Sequence, residues 1–377
     1  MYDYKCKHQI AGLLFMSIFQ KKIFSFNQVP FGLDLSDLSI KVMQLEKEGE
    51  VDKIRSFGSL DIPAGNIEDG KIINKDKVAA FIKETIKKAG PKKINTKQVI
   101  CSLPESKAFL RSINIPKMEE EEAKEAIKWE MEANIPLPIE QVYFDWQFLE
   151  LDGKNKQNVL TVAVSKEIID DLVEVLEKAG LEIYGLEIES IASARSLVSE
   201  KNNNKKNSGT SLIIDLGAQR TSFIMVVSGI PYFTSSIPFS SESINDAIAK
   251  NLNLNAQEAE EAKVNHGIEH KNADNPIFNA IKYLLENLVN ETSSTLDFYS
   301  EMSKENAEIE KVILCGGGAN LRGLIPYLTK KLGKEVELGD PWVNLKLGNT
   351  LPIINKENSV RYATVVGLAL RGIYYED

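Results

Sequence analysis

A carboxylate at the end of a short apolar run is the first feature of this sequence that could do chemistry. Residues 211–221 read Ser-Leu-Ile-Ile-Asp-Leu-Gly-Ala-Gln-Arg-Thr, so Asp215 ends a run typical of a buried strand and Gly217 follows two residues later. A glycine lets backbone N–H groups approach a phosphate, and a carboxylate at a strand end could orient a hydrated Mg²⁺. The pattern is equally typical of an ordinary strand, tight turn and strand.

Two further segments carry related patterns. Residues 31–41 contain a short strand ending near Asp34, a turn of small polar residues and a second strand. Residues 311–323 contain a strand that runs into three glycines, Gly316 to Gly318, and then a helix. Glycines permit a flat purine to lie against the backbone, and a helix N-terminus offers unpaired donors. Three such loops in this order are much less likely to arise by chance than any one of them.

With these loops the chain resembles the actin, Hsp70 and sugar-kinase superfamily, whose two phosphate loops and adenosine loop they match. Within it, the sequence is similar to the PilM family of type IV pilus assembly proteins. The likeness is carried by residues 31–41, 132–140 and 315–323, and it covers essentially everything after residue 30. One departure is Ser36, which stands where that family usually has glycine. It predicts a less close phosphate approach, with ATP hydrolysis weak or absent.

The resemblance implies an α/β protein with a two-domain actin-like ATPase (ribonuclease H-like) fold and an inserted α+β subdomain in the first half. ATP with Mg²⁺ would bind in the cleft between the halves, and Asp34 and Asp215 would position the metal and its waters. The residues near the phosphates would be Ser36, Ser39, Lys41, Gly217, Ala218 and Thr221. Those near the adenosine would be Gly316, Gly317, Gly318 and Leu321.

A charged segment at 259–263 is a further candidate. It reads Ala-Glu-Glu-Ala-Lys and is similar to the superfamily helix whose acid and lysine approach the nucleoside, which makes Glu260 and Lys263 candidates. The spacing alone favours an exposed helix with its charges on the solvent side. Lys41 can likewise be interpreted as an ordinary exposed residue of a strand.

The resemblance also implies an assembly role. The chain would be a cytoplasmic component at the inner face of the membrane, bound to the N-terminal cytoplasmic peptide of a PilN-like inner-membrane protein and to other platform proteins. The machine could be a pilus, competence or secretion system. Nucleotide state would be coupled to partner binding through open and closed domain states.

Two other classes stay open. An FtsA-like filament-forming ATPase would usually end in a basic amphipathic helix, whereas residues 374–377, Tyr-Tyr-Glu-Asp, are acidic. A small-molecule kinase of the same superfamily would need an acid beside a substrate hydroxyl, and the sequence offers no convincing third acid.

Composition is compatible with this interpretation. A chain of 377 residues with 43% hydrophobic residues can form two or three domains with real cores, and a net charge of −9 argues against nucleic-acid binding. The three cysteines, Cys6, Cys101 and Cys315, have no paired spacing, which fits a reducing compartment without a zinc site. His266 and His270 are four positions apart and could share a helix face, but Gly267 interrupts the helix and no third ligand is nearby. A metal site there is therefore disfavoured.

The first residues are expected to form a tail. Residues 10–19 are mostly apolar and follow Lys5 and Lys7, but the run is too short to span a bilayer and Lys21-Lys22 replace a cleavage site. Weak contact with a membrane surface is the alternative, through Phe15, Phe19 and Ile23. The family lead resembles residues 16–19, so residues 1–15 are interpreted as an upstream extension and residues 1–28 as a disordered tail.

Hydrophobic periodicity and turn signals predict the remaining organisation. Strands are expected near 31–35, 39–46, 51–61, 98–103, 143–151, 158–164 and 335–338, the last without an evident partner. Helices are expected at 75–89, 119–134, 165–180, 243–251, 257–266, 277–302 (one long or two short), 323–332 and 360–373.

The predicted domains are 29–104 with 181–200, an insert at 105–180, 208–250 with 308–350, a helical subdomain at 251–307 and a C-terminal segment at 351–377 near the hinge. A linker is expected at 201–209.

Overall fold

The computed structural model describes residues 28–149, 156–199, 209–269, 275–303, 309–347 and 354–374. Contacts divide the chain into unit 1 (Met1–Ser193, Leu345–Pro352 and Thr364–Asp377) and unit 2 (Ala194–Asn344 and Ile353–Ala363). The predicted tail, apart from residue 28, lies outside the described residues. The sequence Asp152-Gly153 predicts a hairpin turn between the strands expected near 143–151 and 158–164, and this turn also lies outside the described residues. So do His270 and all but the last residue of the predicted linker.

Unit 1 contains a mixed sheet whose first strand, at residues 31–35, is a short and mostly apolar run. The strands of the unit are β1 (Phe31–Leu35), β2 (Ser39–Glu48), β3 (Val51–Asp61), β4 (Ile67–Glu68), β5 (Lys71–Ile72), β6 (Gly90–Pro91), β7 (Gln98–Leu103), β8 (Ala108–Pro116), β9 (Val142–Leu149), β10 (Lys156–Ser165) and β11 (Glu182–Ile188). The main sheet has the order β11-β7-β1-β2-β3-β6, in which β1 is antiparallel to β2 and parallel to β7. All five residues of β1 are buried, as expected for a central strand covered on both faces.

The helices of unit 1 pack on the main sheet and on strands β8 to β10. They are α1 (Lys75–Lys88), α2 (Glu120–Asn134), α3 (Lys166–Ala179), α4 (Glu189–Leu197), which continues into unit 2, and α10 (Ala363–Tyr374), which begins there. Helix α10 packs closely on β1, because a Cβ atom at Gly32 would lie 2.8 Å from the Val365 carbonyl oxygen. The segment is strongly apolar but too short to span a bilayer, which predicts burial in the core, and its residues from Val365 to Leu370 are buried.

The predicted insert has its own small core. Strands β8, β10 and β9 pair in that order, all antiparallel, and Ala123, Ile127 and Met131 of α2 are buried in the same hydrophobic cluster. The spacing of Ala123, Ala126, Ile127 and Met131 in the sequence predicts one apolar face for this helix, and of the four only Ala126 is half-buried rather than buried. Strand β8 was not predicted. Ser165 is of a residue type that predicts a helix cap, but at the start of α3 its side chain makes no capping hydrogen bond. The helix ends at Gly180, whose φ of 80° satisfies the left-handed C-terminal position.

Unit 2 repeats the pattern of strands. Its strands are β12 (Thr210–Leu216), β13 (Thr221–Val227), β14 (Ile230–Ile237), β15 (Ile309–Cys315) and β16 (Val336–Leu338). Its helices are α5 (Ser241–Leu252), α6 (Ala256–His266), α7 (Pro276–Met302), α8 (Leu324–Leu332) and α9 (Lys356–Ser359). Helix α7 is one continuous helix of 27 residues, and the partner of β16 is β15, to which it is parallel. None of the described helices is long and apolar enough to cross a membrane.

The two units share one strand topology. In unit 2 the strands pair in the order β16-β15-β12-β13-β14, with β12 antiparallel to β13 and parallel to β15. In unit 1 the order β11-β7-β1-β2-β3 has the same directions. Asp34 in β1 and Asp215 in β12 therefore occupy equivalent places, each near the end of the first strand and beside a parallel neighbour. Ligand-binding groups of mixed α/β sheets gather at such strand ends.

Candidate functional site

The glycine loop of unit 2 lies directly against the end of β12. Asp215 is in register with Cys315, and Gly316 follows with a φ of 80°. A Cβ atom at Gly316 would lie 2.3 Å from Asp215 Oδ1 and 2.6 Å from the Leu216 carbonyl oxygen. Only glycine combines this backbone conformation with this approach. The structure thus brings the predicted phosphate loop and the predicted adenosine loop of unit 2 together.

The other residues of this loop differ in their surroundings. A Cβ atom at Gly318 would lie 3.0 Å from Leu216 Cβ, whereas one at Gly317 would meet no described atom within 4 Å. Gly317 therefore leaves open space beside the loop, as a flat ligand would need. Leu321 is 8% exposed and packs in the hydrophobic core of unit 2, so its side chain supports the loop from beneath.

The turn after Asp215 is fixed by backbone hydrogen bonds. Gly217 N donates to the Arg220 carbonyl at 2.9 Å, and a Cβ atom at Gly217 would lie 2.7 Å from that oxygen. Ala218 is exposed, and its carbonyl accepts from Glu242 N at 3.0 Å. The buried Thr221 hydroxyl donates to the Phe239 carbonyl at 2.9 Å. The hydroxyl proton of Thr221, the first residue of β13, is therefore already engaged within unit 2.

The candidate pair on α6 is connected to this turn. Lys263 Nζ lies 2.7 Å from Glu260 Oε2 and 2.7 Å from Ser241 Oγ. Ser241 begins α5, and its backbone N–H donates to the Gly217 carbonyl at 3.1 Å. The expectation of an exposed lysine is wrong for Lys263, whose side chain is 10% exposed, while the Glu260 side chain is 49% exposed. Burial opposes ionisation of Glu260, but the hydrogen bond and charge of Lys263 hold its pKa below the ordinary value.

Cys315 is a neighbour of Asp215 that the sequence analysis did not assign to the site. It is fully buried, and burial together with the charge and hydrogen bonding of Asp215 raises its pKa well above the ordinary value. The thiol is therefore protonated at neutral pH, which suits donation to the carboxylate. The signal in the sequence was its position as the last residue of the strand before the three glycines.

The equivalent loop of unit 1 contains a buried ion pair. Lys41 Nζ lies 3.1 Å from Asp34 Oδ2 and donates to Ser39 Oγ at 3.0 Å. Asp34 is 3% exposed and Lys41 is 7% exposed. The interpretation of Lys41 as an exposed strand residue is wrong, because the antiparallel register of β1 and β2 places it opposite Asp34.

The other carboxylate oxygen of Asp34 is also engaged. Its Oδ1 accepts from Ser102 Oγ at 3.3 Å and lies 3.5 Å from the Ser36 hydroxyl. Ser102 in turn accepts from the backbone N–H of Leu35 at 3.0 Å. Ser102 is a residue that the sequence analysis missed, because its position beside Asp34 depends on the parallel pairing of β7 with β1.

The fit to a metal differs between the two acids. A lysine ammonium stands beside Asp34 where the sequence analysis expects a hydrated cation, whereas Asp215 is half-buried at a loop with open space. Within the described ranges there is no group of three or more His, Cys, Asp or Glu that could hold a metal ion. Mg²⁺ commonly keeps several waters and uses few carboxylates beside phosphates. Asp215 therefore fits such a role better than Asp34, and both metal assignments stay predictions.

Two units of equivalent topology, each with an acid at the end of its first strand, define an actin-like α/β fold. A family model described as "Type IV pilus assembly protein PilM" matches residues 32–373, and the chain belongs to this family. The fold and family expected from the sequence are thereby confirmed.

Individual proteins support the same assignment. The structure of a PilM–PilN type IV pilus biogenesis complex is similar with a TM-score of 0.78 and 28% identity, covering 92% of this chain and 99% of that one. MreB5 of Spiroplasma citri bound to ADP shares the fold, with a TM-score of 0.51 and 13% identity over 90% of this chain and 95% of that one.

The chain is also similar to the cell division protein FtsA of two bacteria. FtsA of Buchnera aphidicola is 24% identical over 89% of both chains. FtsA of Bacillus subtilis is 25% identical over 67% of this chain and 61% of its own length, so that match spans less than two thirds of the relative.

Proposed function

We propose that this chain is a nucleotide-binding component of the inner-membrane platform of a type IV pilus or a related competence or secretion system. It binds the N-terminal cytoplasmic peptide of a PilN-like membrane protein and is held at the inner face of the membrane through that and other platform proteins. The observation that carries the proposal is the similarity to a PilM–PilN complex over 92% of this chain and 99% of the other.

ATP is the nucleotide we assign to the loops of both units. In unit 2, the open space beside Gly317 supports adenosine binding at this loop. Lys263, which donates to Ser241 next to the Gly217 turn, supports a second contact with the nucleoside. In unit 1, the ammonium of Lys41 supports a phosphate contact, with Ser39 beside it. When bound, Mg²⁺ would neutralise phosphate charge, and Asp215 would orient its waters.

Slow or absent ATP hydrolysis is part of the proposal. The Ser36 side chain lies where a glycine would leave the backbone accessible, and its hydroxyl is 3.5 Å from Asp34 Oδ1. A side chain there limits how closely a phosphate can approach the loop. The chain is therefore proposed as a nucleotide-responsive assembly component in which ATP acts mainly as a ligand.

Coupling between nucleotide and peptide follows from linkage. If ATP favours one conformation and the peptide has different affinities for the two, each ligand changes the affinity of the other by the same factor. Coupling of this kind typically amounts to a factor of about 5 to 150.

The test is a titration of the full chain with the N-terminal peptide of the PilN-like protein from the same genome. It is run with Mg-ATP, with ATP and a chelator, and without nucleotide, and a scrambled peptide is the control. Binding that is specific and changes with Mg-ATP supports the whole proposal. Specific binding without any ATP effect rejects the coupling, and ATP binding without peptide binding rejects the partner.

A filament-forming role like that of FtsA is the second candidate, favoured by the match to Buchnera FtsA over 89% of both chains. Sedimentation of the purified chain with Mg-ATP, with and without the peptide, separates the two. Pelleting that needs ATP but no peptide supports the filament.

A further inference from the structure

Exposed lysines are concentrated in the second half of α1 and in the loop after it, although the chain as a whole is acidic. Residues 83–97 contain one acid, Glu84, and six lysines: Lys83, Lys87, Lys88, Lys92, Lys93 and Lys97. We call these six residues the lysine surface. All six are exposed, and the stretch carries a net charge of +5 (six lysines minus one glutamate) in a chain of net charge −9.

Most of these lysines form no ion pair within the described part of unit 1. Lys88 pairs with Glu84 and Lys92 with Glu46, each at 2.6 Å. For the other four lysines, no carboxylate of the described residues lies within 4.0 Å. By contrast, Lys75 at the start of α1 pairs with Asp171 and Glu174 of α3, at 2.7 and 2.5 Å. The two ends of α1 therefore differ, with internal ion pairs at its start and free positive charge at its end.

Helix capping explains only part of this group. Lys87 and Lys88 lie in the last turn of α1, where positive charge suits the helix dipole. Lys92, Lys93 and Lys97 follow the end of the helix, so the dipole gives no reason for them. Their accumulation beyond the helix indicates an external anionic partner.

Residues near the start of the described part of the chain lie beside the loop that follows α1. Gln44 Nε2 donates to the Val29 carbonyl at 2.9 Å and to Asn95 Oδ1 at 2.8 Å. Val29 is thus held next to the loop that carries Lys92, Lys93 and Lys97. Residues 1–27 include four lysines, at 5, 7, 21 and 22, and the apolar run 10–19. The sequence before residue 28 therefore carries charge of the same sign as the lysine surface.

We propose that the lysine surface binds the anionic headgroups of a lipid bilayer. Lysine is a compact, hydrated point charge suited to a diffuse anionic surface, whereas nucleic-acid phosphates are commonly bound by the planar fork of arginine. The stretch 83–97 contains no arginine. It also contains no aromatic residue, so it lacks the side chains on which the bases of single-stranded nucleic acid stack. Basic clusters of four to eight lysines or arginines beside a membrane are typical of such electrostatic binding.

The test measures co-sedimentation of the full chain with vesicles of mixed phosphatidylglycerol and phosphatidylcholine. The variant Lys87→Gln/Lys93→Gln/Lys97→Gln removes three charges that have no carboxylate partner among the described residues. The matched control, Lys250→Gln/Lys330→Gln/Lys331→Gln, removes three exposed lysines from the ends of α5 and α8 in unit 2. Unfolding temperatures of both variants check that the fold is retained.

Each lysine near an anionic surface contributes about a fivefold gain in affinity, so the surface variant should bind roughly 100-fold more weakly. The control variant should bind like the unmodified chain, and raising the salt to about 0.5 M should weaken binding of the unmodified chain. Equal binding by both variants would overturn the proposal. So would equal binding to pure phosphatidylcholine, or binding to DNA in the absence of any binding to the anionic vesicles.

Discussion

Lys41 Nζ lies 3.1 Å from Asp34 Oδ2, and the two side chains are 9% and 5% exposed. Removing one partner of a buried ion pair leaves the other charge without compensation. Within the described part of the chain, Asp34 then keeps hydrogen-bond donors that are neutral, Ser102 and Ser36. The pair therefore connects the folding of unit 1 to the loop that we assign to phosphate.

Lys41→Met should consequently destabilise the chain by about 3–5 kcal/mol. Urea unfolding followed by circular dichroism measures the change. Lys77→Met, at an exposed position of α1 in the same unit, is the control and should change stability by less than about 0.5 kcal/mol. Similar values for the two variants would show that the ion pair contributes little to stability.

Gly316→Ala and Gly317→Ala should differ strongly in stability. Alanine at 316 would have a φ of 80° and a Cβ atom 2.3 Å from Asp215 Oδ1, so we expect a loss of about 2 kcal/mol or more. Alanine at 317 meets no described atom within 4 Å and should be tolerated within about 0.5 kcal/mol. Thermal unfolding of both variants measures the difference, and equal stabilities would contradict the loop geometry.

The same Gly317→Ala variant tests the adenosine assignment separately. Its methyl group would project into the space beside the loop, so ATP affinity should fall about tenfold while stability is retained. Displacement of a fluorescent ATP analogue measures it. Unchanged affinity would place the adenosine elsewhere.

The strands and helices could be predicted where their signals are local. The apolar run 31–35 and the spacing of Ala123, Ile127 and Met131 indicated β1 and the buried face of α2 correctly. Strand β8 was missed, because the sequence of 108–116 mixes buried and exposed residues without strict alternation. Its pairing with β10, whose paired residues lie 40 to 56 positions further along the chain, is what makes it a strand.

The site could be predicted in outline only. The Asp34 to Lys41 pair lies in one hairpin, so its register was in principle accessible from the turn between them. The contacts of Ser102 with Asp34 and of Cys315 with Asp215 depend on parallel pairing between distant strands. Such pairing is decided by the whole sheet, and no local pattern encodes it.

Glu46 gives a pH-dependent test next to the lysine surface. Its hydrogen bond with Lys92, opposed by some burial and aided by Arg55, holds its pKa below the ordinary value in the folded chain. Because the folded pKa is lowered, the stabilisation is present above the ordinary glutamate pKa and disappears as the pH falls through the lowered one.

Glu46→Gln should therefore be less stable than the unmodified chain by about 0.5–1 kcal/mol at pH 7, with the difference vanishing in acid. Urea midpoints at a series of pH values measure it. Glu50→Gln, at an exposed residue 3.9 Å from Lys346 Nζ, is the control and should change stability at pH 7 by less than about 0.5 kcal/mol. A difference that grows in acid would contradict the assigned direction.

The two acids should behave differently toward nucleotide. Asp215→Asn removes the charge at the open loop of unit 2, and loss of one charged hydrogen-bonding group should weaken Mg-ATP binding about 10- to 100-fold. Asp34→Asn leaves Lys41 free to contact phosphate, so ATP affinity should be retained within about threefold despite a less stable fold. Displacement of a fluorescent ATP analogue, with Mg²⁺ and with a chelator, measures both variants at a temperature where each is folded.

The two effects should also differ in their metal dependence: the Asp215→Asn defect should be largest with Mg²⁺ and small with the chelator. Equal Mg²⁺-dependent losses would instead assign Asp34 to the metal, and would require Lys41 to leave the carboxylate when ATP binds.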